Sequence, residues 1–198
     1  MNFDFSLDPI ENLDRQINAA EQLGIKEPTA MSLATSSKNG QPHVRAVLFK
    51  GVVRDGISFY TNYESPKAKE LDSNPAASLL FFWAALFQQI IISGQVERLT
   101  RQESEAYFNS RPRLSQIGAW ASEQSQEIPS FDYLSEKVKN IELKFKDSPI
   151  PCPPNWGGYH LIPTYFEFWF GREGRLHERF VYERKDSKSP WRRYLKSP

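Results

Sequence analysis

Near its C-terminus the chain reads Phe166-Glu167-Phe168-Trp169, then Gly171-Arg172-Glu173-Gly174, then Arg175-Leu176-His177-Glu178-Arg179. Residues 175, 177 and 179 alternate, so on a strand all three side chains leave one face. That face would carry two permanent cations and an imidazole able to give or take a proton. Such a surface suits a phosphorylated or otherwise anionic small molecule. A second cationic set lies upstream, at Arg45, Lys50, Lys67, Arg111 and Arg113, and is expected to face the same ligand.

Four further clusters could take part. Val44–Lys50 alternates, with Arg45 near its start and Lys50 at its end, so it could place a cation at each end of a bound molecule; charges guarding an edge strand are the other reading. Tyr60-Thr61-Asn62 is followed by Ser65-Pro66-Lys67. Hydroxyls, helix-end amides and a lysine can hold a phosphate, although simple capping by Ser65 accounts for the same residues. Tyr107, Arg111 and Ser115 recur every four residues and offer phenol, guanidinium and hydroxyl donors to one phosphate, or else form a surface loop. Gln88-Gln89 opens a very apolar stretch, where a buried amide must bond either a heterocycle's edge or a neighbouring backbone. There is no G-x-G-x-x-G, P-loop, G-x-S-x-G or H-E-x-x-H, which excludes the common dinucleotide, nucleotide and hydrolase machinery.

These residues need a scaffold. Residues 9–25 read as a helix, with Asp8 as N-cap, Pro9 at the first position, an apolar face of Ile10, Leu13, Ile17, Ala20 and Leu23, and Gly24 at the end. From residue 30 the period shortens. Stretches 30–36, 44–51, 56–62, 76–83 and 87–99 are rich in branched and aromatic residues and are punctuated by Asn39-Gly40, Asp55-Gly56 and Asn74-Pro75. Residues 66–73, 102–110 and 133–145 read as helices, 149–154 as a proline-rich connector, and 159–170 and 179–183 as further strands. Pro112 biases its surroundings toward extension. The predicted fold is α+β, mainly β: one domain whose core is a β-barrel.

Bulk composition narrows the function. With 198 residues and a net charge of +1, the chain carries no field that would draw nucleic acid. The one cysteine, Cys152, forbids an intrachain disulfide and fits a reducing compartment. The three histidines lie far apart without zinc-ligand spacing, so no metal is expected. No signal-like N-terminus or run of about 20 apolar residues is present, so no membrane partner is expected and the location is read as cytoplasmic.

Taken in order, Arg45–Lys50, Phe59-Tyr60-Thr61-Asn62, Ser110–Trp120 and Phe166–Arg179 resemble the pyridoxine (pyridoxamine) 5′-phosphate oxidase family, from about Asp8 to the C-terminus. The resemblance implies an FMN-binding split β-barrel with peripheral helices over 1–198, with the N-terminal helix within 1–25 and C-terminal strands in 159–198 completing the active site. It implies a homodimer with two sites built across the subunit interface. Read through the family, Arg45, Val47, Leu48 and Lys50 would hold FMN, with Tyr60, Thr61 and Lys67 at its phosphate and ribityl chain. Gln89, Gln124 and Ser125 would complete the flavin's polar contacts, and Trp169 and Arg179 would close the site. Lys50, Tyr107, Arg111 and Ser115 would bind the substrate phosphate. Arg175 and His177 would lie over the substrate's ring as the catalytic pair, positioning it and easing loss of its proton. The implied reaction oxidises pyridoxamine or pyridoxine 5′-phosphate to pyridoxal 5′-phosphate, with hydride passing from C4′ to the flavin and dioxygen returning as hydrogen peroxide. The chain departs from the family at Pro66, Leu114 and Phe170. Two other readings are a phenazine-type oxidase of the same fold and a non-catalytic binder of flavin or pyridoxal phosphate.

Overall fold

Asp8 accepts a hydrogen bond from Ile10 N at 2.8 Å, and Pro9 follows it, so α1 (Pro9–Gln22) begins where the sequence predicts. It buries Leu13, Ile17 and Ala20 and stops short of Gly24, which takes the left-handed φ of +82°. The structure, a computed structural model, describes residues 3–198. After α1 come β1 (Ala30–Ser36), β2 (Pro42–Leu48), β3 (Val52–Val53), β4 (Gly56–Asn62), α2 (Pro66–Ser73), β5 (Ala76–Trp83) and β6 (Gln88–Arg98). Then follow α3 (Arg101–Ser110), α4 (Arg113–Ala121), α5 (Phe131–Lys144), β7 (Trp156–Phe170), β8 (Glu178–Glu183) and β9 (Arg192–Leu195).

All strand pairs are antiparallel, in the order β2-β1-β5-β6-β7-β4-β3, with β8 on β7 and β9 on β8. The long strand β7 explains the branching. One edge pairs with β6 along its length, while the other pairs with β4 over 156–161 and with β8 over 165–170. The sheet therefore divides at the middle of β7. Lys50 N donates to Ser58 O and Ser58 N to Gly51 O, which ties the chain after β2 to β4 and closes the barrel. Leu33, Phe59, Phe81, Ile92, Phe166 and Phe168 are fully buried within it. A second core, including Phe108, Ile117, Phe145 and Trp156, lies beneath α3, α4 and α5. No helix among the described residues is long and apolar enough to cross a membrane.

The structure corrects the sequence reading in places. Residues 113–121 form a helix, because Pro112 is extended (φ −53°, ψ 141°) and serves as its N-cap residue. Strand β2 ends at Leu48, so Lys50 lies beyond it. Strands β3 and β9 were not anticipated. Most important, Glu173–Arg175 is a 3-10 turn with Gly174 and Arg175 both at φ +62°, and β8 begins only at Glu178. Residues 175, 177 and 179 therefore do not alternate along one strand and do not share a strand face.

The β6–β7 pairing carries an irregularity at Ser93/Gly94, where a Cβ on Gly94 would lie 2.0 Å from Ile162 O. The atoms it would meet, in Ile162 and Pro163, are all backbone and cannot rotate away. Gly94→Ala is expected to destabilise the fold by about 2 kcal/mol. Urea unfolding checks this: the midpoint should fall at unchanged slope, and an unshifted midpoint contradicts it.

Candidate active site

A cavity of about 690 Å³ opens between the barrel and the α3–α4 corner. Strand β2 and the residues after it contribute Arg45, Val47, Leu48 and Lys50. The end of β4 and the start of α2 contribute Tyr60, Thr61 and Lys67. Tyr107 comes from the last turn of α3, Arg111 from its C-cap, and Ser115 from the first turn of α4. Gln124 and Ser125 come from the loop after α4, with Ser125 in the left-handed region at φ +66°. Four cationic side chains thus line this space, and no carboxylate does among the described residues.

Lys67 is 7% exposed. Its Nζ donates to Thr61 Oγ1 (3.1 Å), Ser65 Oγ (3.3 Å) and Gln124 Oε1 (3.3 Å). The same Gln124 oxygen accepts from Thr61 Oγ1 (2.8 Å) and Asn62 N (3.3 Å). An ammonium, a hydroxyl and a backbone amide therefore converge on one acceptor, as they would on a phosphate oxygen. Ser65 does not cap α2 with its side chain; its hydroxyl donates to Asn62 O at 2.7 Å instead. The simple capping reading of Ser65 fails for that reason. Burial, and then the neighbouring Arg45 charge, push the Lys67 ammonium down to about 8.

Arg45 is held from behind. Its Nη2 lies 3.0 Å from Glu70 Oε2, and its Nη1 donates to Leu33 O at 3.2 Å. Glu70 also meets His43 Nδ1 at 2.8 Å and accepts from Thr35. Burial alone would raise the Glu70 carboxyl, but the Thr35 and Arg45 hydrogen bonds outweigh it and hold the group below the ordinary carboxylate range. The pair fixes Arg45 at the cavity wall.

An aromatic wall faces these cations. Tyr60 stacks on Tyr107 at 3.9 Å and on Trp156 at 5.4 Å. Burial, then the neighbouring Tyr107, raises the Tyr60 phenol to about 12, and burial raises that of Tyr107, so both are O–H donors at neutral pH. Trp156 was not among the expected site residues. Its signal was Gly157-Gly158: a Cβ at 157 would meet Tyr63 Oη at 2.2 Å, and one at 158 would meet Leu99 Cδ1 at 2.5 Å. Two consecutive glycines let Ser104 of α3, Tyr60 of β4 and Tyr63 just beyond it close over this end of β7.

Five expected residues lie elsewhere. Gln89, Trp169 and Arg179 are in register across β6, β7 and β8. His177 packs its ring on Trp169 at 4.6 Å, and its Nδ1 accepts from Arg172 N at 3.1 Å. Arg175 is exposed on the preceding turn. Trp156 and Trp169 stand near opposite ends of the 15-residue β7, and at about 3.3 Å per residue a strand of that length spans about 45 Å. Within one chain the two cationic sets do not share a cavity. Arg113 leaves its set as well, since it donates to Phe145 O and to Ser148 O (3.3 Å), joining α4 to the end of α5.

Fold and cavity together define a split β-barrel protein with a cavity lined by cationic side chains beneath its helices. A family model described as pyridoxamine 5′-phosphate oxidase matches residues 17–145, and one described as the pyridoxine 5′-phosphate oxidase C-terminal dimerisation region matches 156–198. The chain belongs to the pyridoxamine 5′-phosphate oxidase family. It is 48% identical to a pyridoxine/pyridoxamine 5′-phosphate oxidase of Bdellovibrio bacteriovorus, covering 99% of this chain and 100% of that one. It is 50% identical to an enzyme of the same name from Bordetella avium, covering 92% and 86%. Among solved structures, PhzG from Burkholderia lata in complex with tetrahydrophenazine-1-carboxylic acid superposes with a TM-score of 0.89 at 32% identity, covering 96% of this chain and 93% of that one.

Proposed function

We propose that this protein is an FMN-dependent oxidase that converts pyridoxamine or pyridoxine 5′-phosphate to pyridoxal 5′-phosphate, using dioxygen and producing hydrogen peroxide. The observation that carries this reading is a cavity lined by Arg45, Lys50, Lys67 and Arg111 and, among the described residues, by no carboxylate, in a chain of this family. The donor chemistry fits two phosphorylated molecules. One set of donors converges on Gln124 Oε1. The other is Arg111, whose buried Nη1 has no hydrogen-bond partner.

Lys67, Thr61 and the Asn62 amide would hold the FMN phosphate, with Tyr60, Gln124 and Ser125 beside it, while Arg45, Val47, Leu48 and Lys50 flank the ring. FMN, when bound, supplies two-electron acceptance from the substrate and transfer to dioxygen. Arg111, Tyr107, Ser115 and Lys50 bind the substrate phosphate and fix the reacting carbon by its distance from that anchor. Ser115 adds the positive end of the α4 dipole.

The remaining residues come from a second copy. The match of residues 156–198 to a dimerisation region supports a homodimer, as do the exposed side chains of Val44, Phe82, Phe87 and Leu176 on the single chain. In the dimer the partner subunit's Arg175 and the partner subunit's His177 cover the substrate ring and ease loss of its proton, while the partner subunit's Gln89, the partner subunit's Trp169 and the partner subunit's Arg179 would complete the flavin's contacts. With Nδ1 accepting from Arg172 N, a neutral His177 ring carries its hydrogen on Nε2. Such an enzyme belongs in a reducing cytoplasm, which the free, buried Cys152 thiol fits.

Anaerobic mixing of the flavin-loaded protein with pyridoxamine 5′-phosphate tests the reaction. The flavin band should bleach, and admitting air should restore it with peroxide formed. A band that stays unbleached with both pyridoxyl phosphates overturns the reading. The likeness to PhzG supports one rival, and bleaching only by a tricyclic substrate would establish it.

Lys67 also sets a pH dependence. With its folded pKa lowered to about 8, the ammonium that meets the phosphate is lost as pH rises through that value. Binding of FMN to the apoprotein, followed by flavin fluorescence quenching, should weaken from pH 7 to pH 9. Lys67→Arg keeps its charge over this window and should flatten the profile. A wild-type profile as flat as that of the variant contradicts the assignment.

A further inference from the structure

We infer that Trp156 is a positioning residue for Arg111, holding its guanidinium so that its N–H groups stay available to the phosphate monoester of the substrate. This rests on the oxidase reading, in which Arg111 binds that phosphate. The Arg111 guanidinium carbon sits 4.7 Å from the centre of the Trp156 ring and 5.7 Å from that of Phe108. Arg111 forms no ion pair with a carboxylate among the described residues, and its buried Nη1 has no hydrogen-bond partner. Arginines withdrawn from water are usually held by a carboxylate, which occupies their donors. An aromatic face holds the same cation through its π-electrons and leaves every N–H unused. Burial lowers the Arg111 pKa, the direction expected for a cation that no carboxylate accompanies.

Trp156 is itself rigidly placed. It is 6% exposed, lies 12° from parallel to Tyr60 and 7° from parallel to Tyr107, and meets Phe108 edge-on at 5.2 Å. As the first residue of β7 it is paired with Asn62 across β4. The ring that orients Arg111 is therefore anchored in the barrel, while Arg111 sits at the corner between α3 and α4. A guanidinium held over the face of a fixed ring keeps its N–H donors for a phosphate, which can accept two of them at once.

The test uses the full-length, flavin-loaded protein with W156F, W156L, R111M and the R111M/W156L double variant. Steady-state KM and kcat are measured for pyridoxamine 5′-phosphate, and Kd for pyridoxal 5′-phosphate by calorimetry. W156L should raise KM and Kd about tenfold, with a smaller fall in kcat, and W156F should keep both constants within about threefold by retaining a π face. In the R111M background W156L should change Kd by less than about twofold, because the cation it would hold is gone. Should W156L fail to fold, W156M fills more of the space and takes its place in the cycle. An equal loss in both backgrounds, or W156F behaving as W156L does, overturns the inference, since either outcome assigns Trp156 to packing alone. Wild-type turnover with a KM insensitive to Trp156 overturns the inference and leaves the oxidase reading standing. Trp156-dependent binding of pyridoxal 5′-phosphate without any turnover does the reverse.

Discussion

Replacing Arg111 by alanine is expected to raise KM for pyridoxamine 5′-phosphate about a hundredfold, corresponding to about 3 kcal/mol for charge-assisted hydrogen bonds made in a partly buried site. The Arg111 guanidinium faces a cavity that contains no carboxylate among the described residues, and its Nη1 is buried without a partner. Removing it deletes the donor without freeing any protein acceptor, so nothing within the chain compensates. Flavin retention should change little, because the Lys67 cluster is built from β4, α2 and the loop carrying Gln124. Arg111→Lys, which keeps a charge but loses the planar fork, should fall between wild type and alanine. Steady-state kinetics together with the flavin content of the purified variant check both halves. Loss of flavin with unchanged KM contradicts the assignment.

Glu167→Ala should lower stability by about 3 kcal/mol. Glu167 is 2% exposed on β7, and its carboxylate meets Arg179 Nη2 at 2.6 Å, Tyr165 Oη at 2.6 Å and Lys196 Nζ at 3.3 Å. Without it the half-buried Arg179 charge loses its carboxylate and keeps only the Ser197 carbonyl at 3.1 Å, and the side-chain tie from Arg179 and Lys196 to β7 is lost. Burial would raise the Glu167 carboxyl, but hydrogen bonds from Tyr165 and Arg179 outweigh it and hold the group below its ordinary range. The stabilisation is therefore complete above the ordinary carboxylate pKa and is lost as pH falls through the lower folded value. Urea unfolding at neutral pH and under acid conditions reads this. The difference between wild type and Glu167→Ala should shrink on acidification, and a constant difference contradicts the account.

Much of the barrel was legible because its strands are short and sharply punctuated. β1, β4 and β5 begin and end where turn residues meet alternating apolar ones, and α2 starts at a proline that suits the first helical turn. Other elements were hidden for physical reasons. Pro112 constrains Arg111 to an extended ψ of 148°, yet a proline's fixed φ equally allows a helix to start just after it, so one residue ended α3 and introduced α4. β9 is rich in arginine with no apolar period, and exists because β8 offers it an edge. In the site, Tyr107, Arg111 and Ser115 were legible from spacing, since the end of one helix and the start of the next keep them together. Lys67 was legible by type, but its convergence with Gln124 depends on a loop contact between residues far apart in sequence. The 175–179 alternation misled because Gly174 and Arg175 turn the chain before β8 begins.

The central claim is that one reacting site draws Arg111 from one chain and Arg175 from the other. Co-expressing R111A and R175A chains under different affinity tags, then isolating the doubly tagged dimer, tests it directly. Each parent homodimer should retain flavin and, with pyridoxamine 5′-phosphate held near the wild-type KM, show almost no oxidation. At that concentration the hybrid should regain about half of the wild-type rate, because one of its two sites receives both arginines intact while the other receives neither. A hybrid as inactive as its parents would place both arginines in the same chain's site and contradict the account.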